Sequence, residues 1–187
     1  MKFFLPMLCA LSLLAASACT PDDERCAQLP GGARYCLQPT SLLAPFEVQQ
    51  KLEITYGGQR ETLIVELEVD ANGMRFAGLT PLGQKLVQAN YDNRTVTASR
   101  LPDKRLPPAL VLAMLQMAWW PAANVRAGLG DAAVLDEGGG QRTISADGKL
   151  LVEVGYTGGP PARDMHIAFP PAGIEIDITT LDSDFAR

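Results

Sequence analysis

A run of twelve residues from Ala109 to Trp120 constrains the fold of this chain more than any other segment. Gln116 is its only polar side chain, and Pro108 and Pro121 stand at its two ends. Proline is tolerated in the first turn of a helix and interrupts a helix further along, so the run predicts one helix. A helix that is apolar all round must be buried on nearly every side. It is too short for a membrane span, which needs about 20 residues, so we expect it inside a curved sheet.

The segments on either side of this helix alternate apolar and polar residues with a period of two, which is typical of half-buried strands. The clearest strand runs over 46–56, and further strands are expected at 85–91 and 95–100. Asn72-Gly73 and Asp147-Gly148 are hairpin signals, because these residues tolerate positive φ. About eight antiparallel strands around one buried helix predict a mainly β domain, built as an open half-barrel.

Length and composition indicate one globular domain, and the charge argues against nucleic-acid binding. The chain has 187 residues, which suits one domain, and 47% of them are hydrophobic, as in ordinary globular proteins. Lys and Arg total 16 against 21 Asp and Glu, so the net charge of −5 attracts no nucleic acid. We therefore expect no nucleic-acid partner.

The amino terminus has the layout of a secretory signal. Lys2 is followed by an apolar run over 3–14, then by small residues at 15–18 and by Cys19. Ala16-Ser17-Ala18 fits ordinary signal peptidase, whereas the cysteine directly after it resembles a bacterial lipobox, although Ala16 stands where Leu is more usual. We predict a signal peptide over 1–18, with Cys19 acylated as the first mature residue.

The lipobox interpretation divides the rest of the chain. It predicts a tether over 19–35 and one β domain over 36–187. Multiple acyl chains hold a protein to a membrane far more firmly than one, since each buried methylene adds about 0.8 kcal/mol. Thr20 is not the aspartate that commonly keeps lipoproteins at the inner membrane. The sorting rule of that protein class therefore predicts the periplasmic face of the outer membrane.

Two further cysteines, Cys26 and Cys36, remain as a pair in the exported chain. Gly31-Gly32 between them allows a tight reversal, and an oxidising compartment permits a disulfide. The alternative is a two-cysteine metal or redox site, which has no nearby histidine or third cysteine to complete it. We expect a disulfide, no metal and no cofactor.

Three motifs carry a resemblance to a known group of proteins. They are Ala18-Cys19, the segment Gly-Leu-Thr-Pro-Leu-Gly-Gln over 78–84, and the proline-led apolar run that ends at Trp119-Trp120-Pro121. Over residues 36–181 the chain resembles LolB, the outer-membrane lipoprotein receptor. More narrowly, it is similar to the lipoprotein family called domain of unknown function 3261, which is thought to share that fold.

The resemblance implies a half-closed antiparallel barrel with helices, whose hydrophobic cavity accepts acyl chains. It also implies that a leucine on the Pro-Leu-Gly loop protrudes and helps to hand cargo to the membrane; Leu82 is the matching position. This chain departs from LolB in its Cys26–Cys36 pair and its tandem tryptophans. These departures favour a relative that serves another lipid or pathway.

Two groups of residues are candidates for the site. Leu79 and Leu82 either dip into a bilayer or partner, or tuck under the rim of the barrel. The helix supplies the other group, because indole rings and flexible thioethers suit an adaptable acyl site. The same side chains equally suit core packing, and Trp119 and Trp120 point about 100° apart on a helix. The predicted cavity residues are Leu112, Met114, Met117, Trp119 and Trp120.

Catalysis is not expected. His166, the one histidine, alternates with apolar neighbours on a predicted strand and so lies on its polar face, with no identifiable nucleophile. Asp136-Glu137 before three glycines fits a solvated loop better than a calcium site. The predicted function is therefore non-enzymatic: a monomeric outer-membrane lipoprotein that binds or transfers acyl chains or lipidated cargo, in exchange with a periplasmic carrier. The alternative is a structural or assembly lipoprotein that works through protein contacts.

Overall fold

Ten antiparallel strands form one sheet whose edge strands do not pair with each other. The structure is a computed structural model that describes residues 23–29, 32–100, 107–157 and 164–185. Along the sheet the strand order is β7-β6-β5-β4-β3-β12-β11-β10-β9-β8, and β1 pairs with β2 in a separate hairpin. The elements are β1 Cys26–Gln28, β2 Arg34–Cys36, β3 Phe46–Tyr56, β4 Gln59–Asp70, β5 Gly73–Leu79, β6 Lys85–Tyr91, β7 Val96–Arg100, α1 Pro108–Trp119, α2 Ala122–Leu129, β8 Val134–Gly138, β9 Gln141–Ala146, β10 Lys149–Thr157, β11 Asp164–Phe169 and β12 Ile174–Phe185.

The period-two alternation places the apolar side chains of the central strands on one face. In β3, Phe46, Val48 and Leu52 are buried, whereas Glu47 and Gln49 are exposed. Facing residues of β4 follow the same pattern in register, so both strands present an apolar surface to the interior. The Asp147-Gly148 turn is confirmed, with positive φ at both residues, and a hairpin also forms beside Asn72-Gly73. There the turn lies one residue earlier, at 71–72, and neither Asn72 nor Gly73 has positive φ. The prediction of a mainly β, open half-barrel is likewise confirmed.

Helix α1 lies in the interior, as its composition predicts. It begins at Pro108 and ends at Trp119, and nine of its residues are buried. It contacts β6 and β7 of the sheet and β1 of the separate hairpin. The helix is therefore covered by the sheet and by the hairpin, which explains why it can be apolar on every side. Within the described residues, no helix has the length and apolarity needed to cross a bilayer.

The amino-terminal hairpin differs from the predicted tether over 19–35. Its described residues pack into the main core, where Ala27, Leu29, Ala33 and Tyr35 are each at most 4% exposed. The physical reason is that the disulfide and the short β1–β2 pairing turn the chain back over α1 and α2. The folded unit therefore begins before residue 36.

Two other expectations are corrected. The sheet has ten strands instead of about eight, and α2 follows α1 directly after Pro121. Asp136 and Glu137 do not lie in a solvated loop but on β8, which pairs with β9. Glu137 gains a specific partner there, the guanidinium of Arg142 at 2.6 Å, which accounts for a carboxylate at this position.

The strands turn at two opposite ends of the sheet. The turns at 57–58, 80–84, 147–148 and 170–173 lie at one end, which we call the Leu82 end. The turns at 71–72, 92–95 and 139–140 lie at the other, which we call the Tyr91 end. Because Arg142 of β9 contacts the last residues of α1, the helix runs from the Leu82 end to the Tyr91 end.

Candidate functional site

A cavity of about 130 Å³ lies between α1 and the concave face of the sheet. Every side chain that lines it is apolar, and no polar surface faces it. Ile54, Leu63 and Met114 are only half-buried, so they form its border with solvent. The lining consists of Leu52, Ile54, Leu63, Phe76, Val87, Val111, Met114, Leu115, Ile167, Ile176 and Ile178.

Local periodicity explains why these residues meet. The strand residues belong to the inward sets of six strands, which alternate with outward polar residues. The helix contributes Val111, Met114 and Leu115, which share one face because they are three and four positions apart. Val111 lies in the half of α1 nearer the Leu82 end, and Met114 and Leu115 lie at the middle of the helix.

Of the five helix residues predicted to line a cavity, the structure places only Met114 there. Leu112 and Met117 are fully buried on other faces of α1, and Trp120 is fully buried directly after the helix. Trp119 stacks on Phe46 with ring centroids 5.2 Å apart, and the Trp120 indole nitrogen lies 3.5 Å from the Pro39 carbonyl oxygen. The tandem tryptophans thus pack the Tyr91 end of the interior.

A buried arginine holds the carboxyl end of α1. Arg142 is 1% exposed, and its Nη1 donates to the carbonyl oxygens of Met117, at 2.7 Å, and Trp120, at 2.9 Å. A cation at this end of a helix is favoured by the helix dipole and satisfies carbonyls that lack partners. The Tyr156 hydroxyl donates to the Ala118 carbonyl oxygen at 2.7 Å, and burial raises the pKa of Tyr156 to about 12. Sequence reasoning missed both residues.

Gln116, the one polar residue of the run, connects α1 to the covering segment. Its Oε1 accepts from the Tyr35 hydroxyl at 3.1 Å and from the Gln38 amide at 2.7 Å, and its Nε2 donates to the Gln38 carbonyl at 2.9 Å. Burial raises the pKa of Tyr35, so this phenol stays protonated as a donor. These bonds point away from the cavity and leave its lining apolar.

Leu82 is 97% exposed at the tip of the β5–β6 turn. The turn is closed by hydrogen bonds from the Gly83 amide to the Thr80 carbonyl and from the Gln84 amide to the Thr80 hydroxyl. Gly83 has φ +82°, which glycine adopts without strain. Leu79, at the end of β5, is half-buried. Of the two loop leucines, only Leu82 is therefore presented to solvent.

The remaining predicted site residues are placed as follows. Cys26 and Cys36 form a disulfide, as predicted, whereas Cys19 lies outside the described residues. His166 faces solvent on β11, where its Nδ1 lies 2.8 Å from a carboxylate oxygen of Asp177 on β12. Among the described residues, no three His, Cys, Asp or Glu side chains group as metal ligands.

Comparison with protein families assigns the domain. The model of a family described as protein of unknown function, DUF3261, matches residues 47–182. The chain belongs to the DUF3261 family. The matched range includes every residue of the cavity lining and the Leu82 turn, so both are part of the DUF3261 domain. The resemblance to this family predicted from the sequence is confirmed.

Two solved structures are distantly similar to this DUF3261 protein. No curated protein matches it in sequence. It is similar in structure to a putative outer membrane lipoprotein-sorting protein domain from Vibrio parahaemolyticus, with 9% identity over 76% of this chain and 85% of that chain and a TM-score of 0.38. It is also similar to a DUF1329 family protein from Desulfovibrio piger, with 8% identity over 78% of this chain and 87% of that chain and a TM-score of 0.35.

Proposed function

We propose that this DUF3261 protein is a lipoprotein of the outer membrane that binds an acyl chain, either free or on lipidated cargo, in the cavity beside α1. The observation that carries the proposal is a cavity with a wholly apolar lining, which reaches solvent between half-buried side chains. An apolar lining offers no hydrogen bonds to water. A hydrocarbon bound there is stabilised by about 0.8 kcal/mol for each methylene removed from water.

The size of the cavity sets what enters it. An apolar cavity of about 150 Å³ in another protein stays dry and binds a molecule as large as benzene. The cavity of about 130 Å³ therefore accommodates the end of an acyl chain. A longer chain leaves the cavity along Ile54, Leu63 and Met114 toward the Leu82 end. Met114 suits this border because its unbranched thioether adapts to different shapes.

We propose binding without catalysis. The cavity lining supplies no acid, base or nucleophile, so a chain held there meets no reactive group. The exposed His166–Asp177 pair lies on the outer face of the sheet, where alternation places it away from the interior. A catalytic role would need a nucleophile within hydrogen-bond reach of such a base.

Leu82 is proposed to contact the membrane or partner that exchanges the ligand. Leaving a leucine fully in water forgoes about 2 kcal/mol of burial, and the closed turn holds this side chain outward. The anchor is proposed to be lipid on Cys19, with the domain in the periplasm. The contact made by Leu82 and the lipid anchor on Cys19 both extend the sequence prediction. Each is tested separately from acyl-chain binding.

Binding is tested with protein that begins after the signal peptide and a fluorescent fatty acid as the probe. Met114→Trp places a larger side chain at the cavity border, so we expect at least about a tenfold loss of affinity, which corresponds to 1.4 kcal/mol or roughly two methylenes. Leu110→Trp is the matched control, because Leu110 is half-buried on the same helix outside the lining. Absence of fatty-acid binding by the unaltered protein would contradict the proposal.

Ligand transfer is tested at the turn. We expect Leu82→Glu to slow transfer of the bound fatty acid to phospholipid vesicles while its equilibrium affinity stays within about twofold, because the side chain does not line the cavity. Gln84→Glu adds the same charge to the same exposed turn but keeps the leucine. Equal transfer rates for the two variants would remove Leu82 from the mechanism.

The second candidate is a structural or assembly lipoprotein that acts through protein contacts. It is favoured by the dense packing of α1, nine of whose residues are buried, and by the suitability of an exposed leucine for a protein interface. Native mass spectrometry of protein extracted from its own membrane separates the two. Bound lipid supports the first proposal, whereas a stable protein partner without lipid supports the second.

A further inference from the structure

We infer that the end of the domain with Leu82 and the cavity border faces away from the bilayer that anchors the chain, so the ligand enters and leaves on the aqueous side. The inference rests on the proposed lipid on Cys19. It adds an orientation that neither the anchor nor the cavity specifies alone, and it follows from where Asp23 and Arg25 enter the fold.

The first described residues lie at the Tyr91 end. The guanidinium of Arg25 interacts with the hydroxyl of Tyr91. Burial raises the pKa of Tyr91, and the positive charge of Arg25 partly offsets this rise. That hydroxyl also donates to the Leu37 carbonyl oxygen at 3.2 Å, and Leu37 in turn donates its amide to the Arg25 carbonyl at 2.9 Å. Tyr91 is the last residue of β6, so Asp23 and Arg25 enter the fold opposite the Leu82 turn.

The reach of the chain is short compared with the sheet. From Cys19 to Asp23 the backbone spans at most about 14 Å when fully extended. Strand β3 has 11 residues, which at about 3.3 Å per residue separates the two ends by roughly 33 Å. With the anchor beside the Tyr91 end, Leu82 therefore reaches the same bilayer only if the domain lies on its side or inverts.

The negative charge of the outer sheet face opposes an orientation in which the domain lies with that face on the bilayer. Asp184, Glu47 and Glu68 face one another across β12, β3 and β4, and Glu66 and Asp182 lie in the adjacent row. Arg75 forms salt bridges with Glu68 and Asp70. It does not neutralise the remaining carboxylates of this face, so the face keeps a net negative charge. A surface rich in carboxylates is repelled by anionic headgroups within about a Debye length.

The end of the domain nearest the proposed lipid anchor is therefore opposite the end at which the ligand enters and leaves. The Tyr91 end holds the first described residues, the Phe46–Trp119 stack and Arg142, whereas the Leu82 end holds the cavity border and the exposed leucine. The partner suited to this arrangement is a water-soluble carrier that delivers an acyl chain from the aqueous side. In this orientation Leu82 does not contact the anchoring leaflet.

Energy transfer from the protein to labelled lipid tests the orientation. Acylated full-length protein carries one donor dye, at Ala71→Cys on the Tyr91 end or at Gln84→Cys on the Leu82 end, both at exposed turn positions. It is placed in vesicles of phosphatidylethanolamine and phosphatidylglycerol with an acceptor on the headgroups. Because transfer falls steeply with distance, we expect a severalfold higher efficiency from position 71. Equal or higher efficiency from position 84 would overturn the inference.

Two controls separate this inference from the proposed function. Cys19→Ala is expected to abolish transfer from both positions; transfer that persists shows that another part of the chain binds the membrane, which overturns the inference. Fatty-acid binding by the unacylated domain is measured independently of the anchor. An orientation opposite to the expected one, in protein that still binds fatty acid, rejects the inference alone.

Discussion

Arg142 shows how one buried charge can position a helix. Its side chain is 1% exposed, and it bonds to two carbonyls at the end of α1 and to a carboxylate oxygen of Glu137 at 2.6 Å. A buried charge is tolerated only when it is paired and its donors are satisfied. Arg142 thus joins β8 and β9 to the carboxyl end of the helix whose middle turns border the cavity.

Replacing Arg142 with methionine keeps most of the volume and removes the charge. We expect Arg142→Met to lower the free energy of unfolding by about 3 kcal/mol, since it leaves two helix carbonyls and a half-buried carboxylate without their partner. Urea denaturation followed by circular dichroism measures the loss. Arg126→Met is the control, because Arg126 is exposed and its bond to the Leu135 carbonyl is long, at 3.4 Å. Equal losses for both variants would exclude a special role for Arg142.

The sequence carries a signal for the burial of Arg142. Arg142 has the same parity as Ile144 and Ala146, the two apolar residues of β9, so alternation places all three on the inner face. Arginine is rarely buried unless paired, but its partner Glu137 precedes three glycines, a pattern that predicts a loop. The exposure of Leu82 is different: whether a turn leucine points outward depends on the hydrogen bonds of that turn, which the sequence does not specify.

Helix α2 packs against β2 at Gly128, where a Cβ atom has no room. A Cβ at this position would lie 2.6 Å from Cε2 of Tyr35 and 2.8 Å from the Cys36 carbonyl oxygen. Tyr35 is fully buried and Cys36 is held by the disulfide, so neither neighbour yields easily. The glycine is therefore required for the close approach of these two elements.

We expect Gly128→Ala to destabilise the protein by about 1–3 kcal/mol, the usual cost of overpacking, even though alanine is the better helix former. Thermal and urea denaturation measure the change. Gly138→Ala at the end of β8 is the control, because a Cβ there meets no atom within 4 Å, and we expect a change within about 0.5 kcal/mol. A stabilised Gly128→Ala variant would show that helix propensity outweighs the contact.

Elements with strong periodicity are predicted well, and the others are not. Helix α1 and strands β3 and β6 follow from apolar patterns over 12, 11 and 7 residues. Helix α2 has an irregular pattern over eight residues, and β1 and β2 are three residues each, too short for periodicity to appear. The sequence predicts cavity residues from α1 alone, but packing against the sheet selects which face of the helix borders the space.

The whole molecule resembles a sheet folded around one helix, with a separate cover on the helix's other side. Strands β7 and β8 are the edges of the sheet, and α2 contacts β8. Because the sheet does not close on itself, α1 would expose its outer face without the β1–β2 hairpin. The fold thus depends on a segment that the sequence pattern assigns to a tether.

The disulfide is expected to stabilise this arrangement as a whole. Cys26 and Cys36 are 10 residues apart, and closing such a loop contributes roughly 2–3 kcal/mol on the chain-entropy model. We expect the double variant Cys26→Ser with Cys36→Ser to lose about that amount in urea denaturation, with little change in its far-ultraviolet circular dichroism. Fatty-acid affinity should stay within about twofold, because no residue of the hairpin lines the cavity. Loss of binding in a variant that remains folded would mean that the hairpin, through α1, controls the shape of the cavity.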